Sequence, residues 1–405
     1  MWRASALFVV LFSSLAADAQ PSLVAPSNAD IEAMGQLLER GQVALIESNA
    51  RGWLKQVTVV SRIRAPVATV FRVVSEVQHY PEFLHNFSRI DVRSRQGQSV
   101  GYDWDWRGVV FDFHGSNTMS LMPPRRIDVL TTQGDLGNAR FIMDFRPAPN
   151  DETILAITLF CDPRSANWAA RQLVRANPSM LHAMNLSVGI VFVMGIRGRA
   201  ESPGGRGVVG APGRGGGDLT GFADVDTARL APLLRRGELA LVETNAHRGL
   251  RQATVFGQVA AEPDRVRAVV QDPARYPSFI SNVESVDVVS RTGGITTYDI
   301  ELDFPIFDVE SRLEMSADPQ GRVLVEGRQG DMRGGRWRWE LLAAPGGGAV
   351  ATYGGYNDMR RTGWLMRRLV ALEPYFDHAL NVSSKLVMVR AVKRRAEAAV
   401  REGGR

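Results

Sequence analysis

Residues 78–86 read QHYPEFLHN, and residues 274–282, 196 positions later, read ARYPSFISN. Pro fits the first position of a helix, and the residue before a Pro resists continuing the preceding one. Tyr80-Pro81 and Tyr276-Pro277 therefore each begin a short helix at a corner after another helix. In the first copy that preceding helix is VATVFRVVSEV, whose Val70, Val73, Val74 and Val77 recur at helical spacing.

The same offset aligns far more than the corner. LLERGQVALIESNA (37–50) meets LLRRGELALVETNA (233–246), and DVRSRQG (91–97) meets DVVSRTG (287–293). Trp168, Pro178, His182, Asn185 and Ser187 meet Trp364, Pro374, His378, Asn381 and Ser383 without a gap. A period this long is a duplicated domain, not a solenoid unit. The repeat predicts domains over 30–202 and 222–402, with a flexible Gly-rich linker, PGGRGVVGAPGRGGGDLTG (203–221), between them. No Gly-Lys-Ser/Thr follows those glycines, which argues against a phosphate loop.

Each copy writes one order of elements. An amphipathic helix (31–48; 227–244) comes first, then a strand, the two helices of the corner, a series of short strands and a long closing helix (165–200; 361–401) broken at Pro178 and Pro374. In the first copy the strands fall near 87–96, 100–106, 108–121, 125–133, 138–146 and 152–160, separated by turn signals such as Pro123-Pro124 and Gly134-Asp135. Alternation in Tyr102, Trp104, Trp106 and in Tyr298, Ile300, Leu302 marks the inward face, and the even offset gives both copies the same parity. The economical packing is α+β: in each copy a curved antiparallel sheet wraps the closing helix, and the two short helices close one end.

That order, with Val-x-x-Val-x-x-Val leading into Tyr-Pro-x-Phe and then an Asp-Val strand, resembles the START-like, helix-grip superfamily, and within it the polyketide cyclase and coenzyme Q-binding branch. The resemblance covers nearly all of both copies. It implies an apolar cavity between sheet and helix for a lipid, sterol, quinone, polyketide or similar molecule. The chain departs from the usual members in being a tandem pair, exported, with an additional N-terminal helix per copy.

The corner residues Tyr80, Phe83, Tyr276 and Phe279 are expected at the cavity mouth, where they flank a ligand or simply staple the two helices. The expected lining is Tyr102, Trp104, Phe111, Phe113, Phe141 and Trp168 in the first copy, with Tyr298, Phe307, Trp337 and Trp364 in the second. Such pockets are mostly apolar and aromatic, with few polar groups. His182 and Asn185, repeated as His378 and Asn381, stand three apart on one helix face. They either contact the ligand or bond backbone beside the helix break; acid or base chemistry is the third possibility.

Composition bounds the remainder. The chain has 405 residues, 45% hydrophobic and 22% charged, with a formal net charge of +5 carried almost wholly by Arg. Basic charge spread along the chain, without a Lys/Arg block interleaved with aromatics, argues against a nucleic-acid partner; transient contact with a membrane surface is permitted. MWRASALFVVLFSSLAADAQ has the layout of a secretory signal peptide over residues 1–19, so the expectation is export, to the periplasm in a Gram-negative source and otherwise to the medium. Cys161 stands alone and reads as a small core hydrophobe. No metal-ligand cluster, cofactor motif, paired carboxylate or Gly-x-Ser-x-Gly appears, which gives enzyme chemistry little purchase.

One asymmetry separates the copies. SVGIVFVMGI (187–196) is apolar all round where the second copy writes SSKLVMVRAV, so the first closing helix is expected to pack on the second copy or touch a membrane. The reading is an exported protein of two helix-grip domains that binds or transfers an apolar molecule. Its rivals are a cyclase or dehydratase using His182 or His378, and a structural module whose cups are filled by their own side chains.

Overall fold

The computed structural model describes residues 22–108, 112–165, 171–172, 174–175, 178–207, 210–304 and 307–403. The first half runs α1 (Asn28–Ala33), α2 (Gly35–Leu38), β1 (Gln42–Ser48), β2 (Leu54–Ile63), α3 (Val67–Ser75) and a 3-10 turn over Val77–Glu82. Six strands follow, β3 (Phe87–Gln96), β4 (Ser99–Trp106), β5 (Phe113–Met122), β6 (Arg126–Gly134), β7 (Arg140–Ala148) and β8 (Glu152–Phe160), and then helix α4 (Ser179–Ala200). The second half repeats this as α5 (Thr227–Leu234), β9 (Gly237–Thr244), β10 (Leu250–Val259), α6 (Pro263–Val270) and a 3-10 turn over Pro273–Ser278. It ends with β11 (Val283–Thr292), β12 (Ile295–Phe304), β13 (Phe307–Ala317), β14 (Val323–Gly330), β15 (Arg336–Ala343), β16 (Ala349–Tyr356), α7 (Gly363–Leu372) and α8 (Phe376–Gly403).

The stretches 31–48 and 227–244 are not continuous helices. Each turns at its glycine into a strand, β1 or β9, and these two strands pair with each other antiparallel. A Cβ on Gly41 would lie 2.1 Å from the Val242 carbonyl oxygen, and one on Gly237 1.8 Å from that of Ile46, so only glycine lets the strands approach. Ala44 faces Ala240, its own repeat equivalent, which puts a pseudo-two-fold axis through the seam. The axis recurs in matched ion pairs, Arg40 Nε to Glu243 Oε1 at 3.2 Å and Arg236 Nε to Glu47 Oε1 at 3.0 Å.

Because of this pairing the two sheets become one, in the order β11-β12-β13-β14-β15-β16-β10-β9-β1-β2-β8-β7-β6-β5-β4-β3. On one face of the central strands lie α4 and α8, joined on the axis by Ser187 Oγ and Ser383 Oγ at 3.0 Å. On the other face Met34, Leu37 and Leu38 from the first half and Leu230, Leu233 and Leu234 from the second pack on Val43, Leu45, Leu239 and Leu241. Strands covered on both faces have no polar side to present, hence the unbroken apolar runs VALI and LALV. The apolar α4 is long and apolar enough to cross a membrane, yet 78% of its apolar window is buried, between the sheet and α8.

The Gly-rich connection is docked rather than free over 210–221. Gly213 N donates to His247 O (2.8 Å), Gly216 N to Leu250 O (2.7 Å), and Thr220 exchanges two bonds with the Gln252 amide. Val24 makes the same exchange with Gln56, so the repeat reaches further towards the N-terminus than residue 30. The sequence expectation of a flexible linker fails here because glycine serves close approach: a Cβ on Gly215 would lie 2.5 Å from the Tyr356 ring. The signal-peptide stretch lies outside the described residues.

Candidate functional site

The Tyr-Pro-x-Phe corner forms the same way twice. Tyr80 Oη donates to Val74 O at 2.8 Å and Tyr276 Oη to Val270 O at 2.5 Å, tying the 3-10 turn to the helix before it. Each Tyr ring meets its Phe edge to face, at 5.6 Å for Tyr80 and Phe83 and 5.8 Å for Tyr276 and Phe279. With both hydroxyls satisfied, the corner presents rings, not polar groups, to the inside.

In the first half those rings join a cluster around Phe192 of α4. Tyr80, Phe87, Trp106 and Phe141 all lie within 6.4 Å of its centroid, and Trp106 stacks on it at 13°. Aromatic pairs at such separations contribute beyond their buried area. Polar atoms here are matched internally: Trp104 Nε1 donates to Asn117 Oδ1 (2.9 Å), whose Nδ2 donates to Tyr102 Oη (2.9 Å). Phe113 is half-buried against this core. Sequence reading missed Phe192, Phe87 and Asn117. A helix apolar all round shows no preferred face, so nothing singled out Phe192; Asn117 sits on a strand with weak alternation.

At four of these positions the second half has a smaller or more flexible group, while Trp337, Trp339 and Tyr353 stand where the first half has Phe141, Met143 and Ile157. Met388 replaces Phe192, Val283 replaces Phe87, Leu302 replaces Trp106, and Leu313 replaces Asn117. Phe279, Leu302, Tyr353 and Met388 pack against the core but are only half-buried, whereas Phe83 and Phe192 are buried. Trp337 is buried, and Trp339 stacks on Tyr353 at 4.3 Å. The hydroxyls of Tyr298 and Tyr353 have no hydrogen-bond partner among the described residues. Burial pushes both phenols up, Tyr298 adding to the shift of Tyr353, so they stay neutral donors.

Asn185 and Asn381 bond backbone. Asn185 Oδ1 accepts from Cys161 N (2.7 Å) and its Nδ2 donates to Cys161 O and Leu181 O; Asn381 does the same with Asn357 and Asp377. These bonds clamp the exit of the last strand to the closing helix and use most of the amide. His182 Nε2 meets Ser48 Oγ at 3.0 Å and His378 Nε2 donates to Arg248 O at 3.1 Å, each on the turn or strand end of its own first hairpin. Burial, with Arg390 and Arg394 nearby, pulls His182 down to about 3; burial pulls His378 down to about 4. Both imidazoles are neutral and weakly basic, a poor match for acid-base work at neutral pH.

Trp364 stands on the surface of α7, 59% exposed, away from the other expected lining. Phe111 and Trp168 lie outside the described residues, and Phe307 begins β13 with its side chain outside them too. The Cys161 thiol is buried and pushed up to about 12, first by burial and then by Asp162, which leaves it inert.

No curated protein matches the chain in sequence. Among solved structures it is similar to the di-domain ARO/CYC StfQ of the steffimycin biosynthetic pathway, at 13% identity and TM-score 0.30 over 85% of this chain and 99% of that one. It is also similar to the Zhui aromatase/cyclase from Streptomyces sp. R1128, at 17% identity and TM-score 0.33 over 38% and 98%. A STAR-related lipid transfer protein from Xanthomonas axonopodis matches at 14% identity and TM-score 0.27 over 37% and 93%. All three likenesses are distant. The sequence model of one family, polyketide cyclase / dehydrase and lipid transport, matches residues 63–184 and again 259–371, one region in each half and together more than half of the chain. The chain therefore belongs to the polyketide cyclase / dehydrase and lipid transport family, and carries its domain twice.

Proposed function

We propose that the protein binds or transfers an apolar molecule of the lipid, sterol, quinone or polyketide class, and that the second half is the half that holds it. The observation carrying this reading is the difference at one position: Phe192 is buried among four aromatic rings, whereas Met388 is half-buried and has Val283 and Leu302 where that ring has Phe87 and Trp106. Met adapts to ligands of varied shape. The unpartnered hydroxyls of Tyr298 and Tyr353 supply the few polar groups that such a site needs to orient a carbonyl or hydroxyl of its ligand. The first half then serves as a rigid partner sharing the sheet, which is the filled-cup alternative applied to one copy.

The test is native mass spectrometry of the purified protein, before and after incubation with a lipid extract. One equivalent of ligand is expected. Met388→Phe combined with Leu302→Trp rebuilds the first half's filling and should empty the protein, while Tyr298→Phe with Tyr353→Phe should weaken loading about tenfold, a typical cost for a lost buried hydrogen bond. Two equivalents, or loading unchanged in the refilled variant, would overturn the assignment.

Export is part of the proposal, supported by Arg3, the apolar run Ala4 to Leu15 and the small residues Ala17 and Ala19. The compartment is the periplasm in a Gram-negative source and the medium otherwise; transient contact with a membrane surface would then deliver the ligand. A mature N-terminus at Gln20 is the expected result of N-terminal sequencing, and an uncleaved chain would contradict it.

A further inference from the structure

A cleft of about 480 Å³ opens at the end of the second half, where the docked connection passes the turn before β15 and the turn before α7. Arg214, Arg333, Arg336, Arg360 and Arg361 line it against one acid, Asp358. Asp358 is committed to Arg360 at 2.7 Å and reaches Arg361 Nε only at 4.0 Å. Arg336 Nη2 donates to Gly217 O at 2.6 Å; among the described residues Arg214, Arg333 and Arg336 have no carboxylate within ion-pair distance. Gly216 and Gly217 form part of the wall with φ of +96° and +144°, a backbone path that side chains would obstruct.

Five guanidinium groups held around one cavity repel one another unless an anion enters. Their planar forks match phosphate and carboxylate oxygens two at a time. The first half is an internal control: it keeps the Asp162 and Arg164 pair (2.6 Å) and Arg140, but has Gly137 and Ser165 where the second half has Arg333 and Arg361. The excess positive charge is thus specific to the second half.

We propose that this cleft binds a phosphate-class anion, either a free phosphorylated small molecule or the headgroup of an anionic lipid. Trp364, exposed on α7 three residues past Arg361, is placed to meet a bilayer interface in the second case. The cleft is lined by arginines rather than apolar side chains, so its test does not depend on the apolar cup being loaded.

The experiment is titration of the full-length mature protein with inorganic pyrophosphate at low ionic strength. It is paired with co-sedimentation on phosphatidylglycerol-containing and pure phosphatidylcholine vesicles. The variants are Arg333→Gln with Arg361→Gln, both at exposed positions, and Arg95→Gln on the exposed face of β3 as control. Binding of pyrophosphate by the wild type, weakened at least about tenfold in the double variant and unchanged in the control, supports a free ligand. Binding only to the anionic vesicles, with the same dependence, supports a headgroup. If neither probe prefers the wild type to the double variant, or if the control variant weakens binding equally, the attraction is only the chain's net charge and the proposal falls.

Discussion

Phe192 and Met388 stand at the same position in the two halves, on helices that touch each other, under sheets that are one sheet. Around Phe192 four aromatic rings and a matched Asn117 close the cup; around Met388 Val283, Leu302 and Leu313 replace Phe87, Trp106 and Asn117 while Trp337 replaces Phe141, and two tyrosine hydroxyls are left over. Duplication therefore produced two copies with one fold and differently filled interiors. In the first copy Phe192 is packed among rings; in the second Met388 is half-buried and the Tyr298 and Tyr353 hydroxyls lack the Asn117-type partner. What holds them in register is the seam, and breaking the seam has the largest expected effect.

Gly237→Val places a Cβ 1.8 Å from the Ile46 carbonyl oxygen, so β9 cannot stay against β1. A loss of about 4 kcal/mol or more in urea unfolding is expected, in the range reserved for gross steric conflict. Gly35→Ala is the control: nothing lies within 4 Å of its Cβ, and a helical Gly→Ala change should be neutral or stabilising by about 0.5–1 kcal/mol. Equal behaviour of the two variants would mean the halves do not need each other.

Phe192→Ala should cost about 3–5 kcal/mol, and Met388→Ala no more than about 2, because the half-buried Met loses less on truncation. The same Phe192→Ala variant should open the first cup and raise ligand loading from one equivalent towards two. Equal costs at the two positions, measured by denaturant midpoints, would erase the distinction between filled and open halves.

Much of this fold is legible in the sequence, because the repeat, the corner and the period-2 alternation are local signals, although each corner turn starts at Val77 or Pro273 and holds Tyr-Pro inside it instead of beginning there. The strands β3 and β8 fall on their expected bounds, the second closing helix breaks at Pro374, and α4 begins directly after Pro178. The seam was not legible. VALIES and LALVET sit just after helical residues and carry no alternation, since they are buried on both faces; only the burial partner, 196 residues away, distinguishes strand from helix. Nor was the cup's filling: Trp364 shares the spacing of Trp168 but ends on the surface, and Phe192 hides in a helix with no polar side. The second cup's polar handles follow from what Leu313 fails to supply, which is a three-dimensional fact.

Lys385 sharpens the comparison through pH. It takes the place of Gly189, is fully buried, and donates to Asn381 O (3.0 Å) and Oδ1 (3.2 Å). Burial pulls it down to about 7, with Asp377 opposing the shift; Asp377 is itself pushed up to about 6, chiefly by burial. Between pH 7 and 10.5 the unfolded chain holds a proton on this lysine that the folded chain has given up, so stability rises with pH across that window. Lys385→Met should flatten the rise and gain on the order of 1–3 kcal/mol at pH 7. An unchanged slope in the variant would show that the lysine is not the group responsible.

The matched ion pairs of the seam give the smallest effect and the finest test of its symmetry. Glu47 and Glu243 keep only 3% and 5% of their side-chain surface exposed, whereas their partners Arg236 and Arg40 keep 36% and 22%. Solvent screening of the arginines limits each pair to about 1 kcal/mol. Glu47 also accepts from Gln56 Nε2 at 2.5 Å and has Lys55 at 3.8 Å, while Glu243 accepts from Thr220 Oγ1 at 3.1 Å. Lys55 gives Glu47 a second cation, but Arg236 also pairs with Asp30 at 2.6 Å, whereas among the described residues Arg40 bonds, besides Glu243, the neutral Gly221 O and Thr220 Oγ1. Arg236→Gln, which breaks two ion pairs, should therefore cost more than Arg40→Gln by a few tenths of a kcal/mol, and the two costs should add, since the pairs share no partner. Equal costs would make the seam energetically symmetric, and a double variant losing more than the sum would show the two halves closing through both pairs at once.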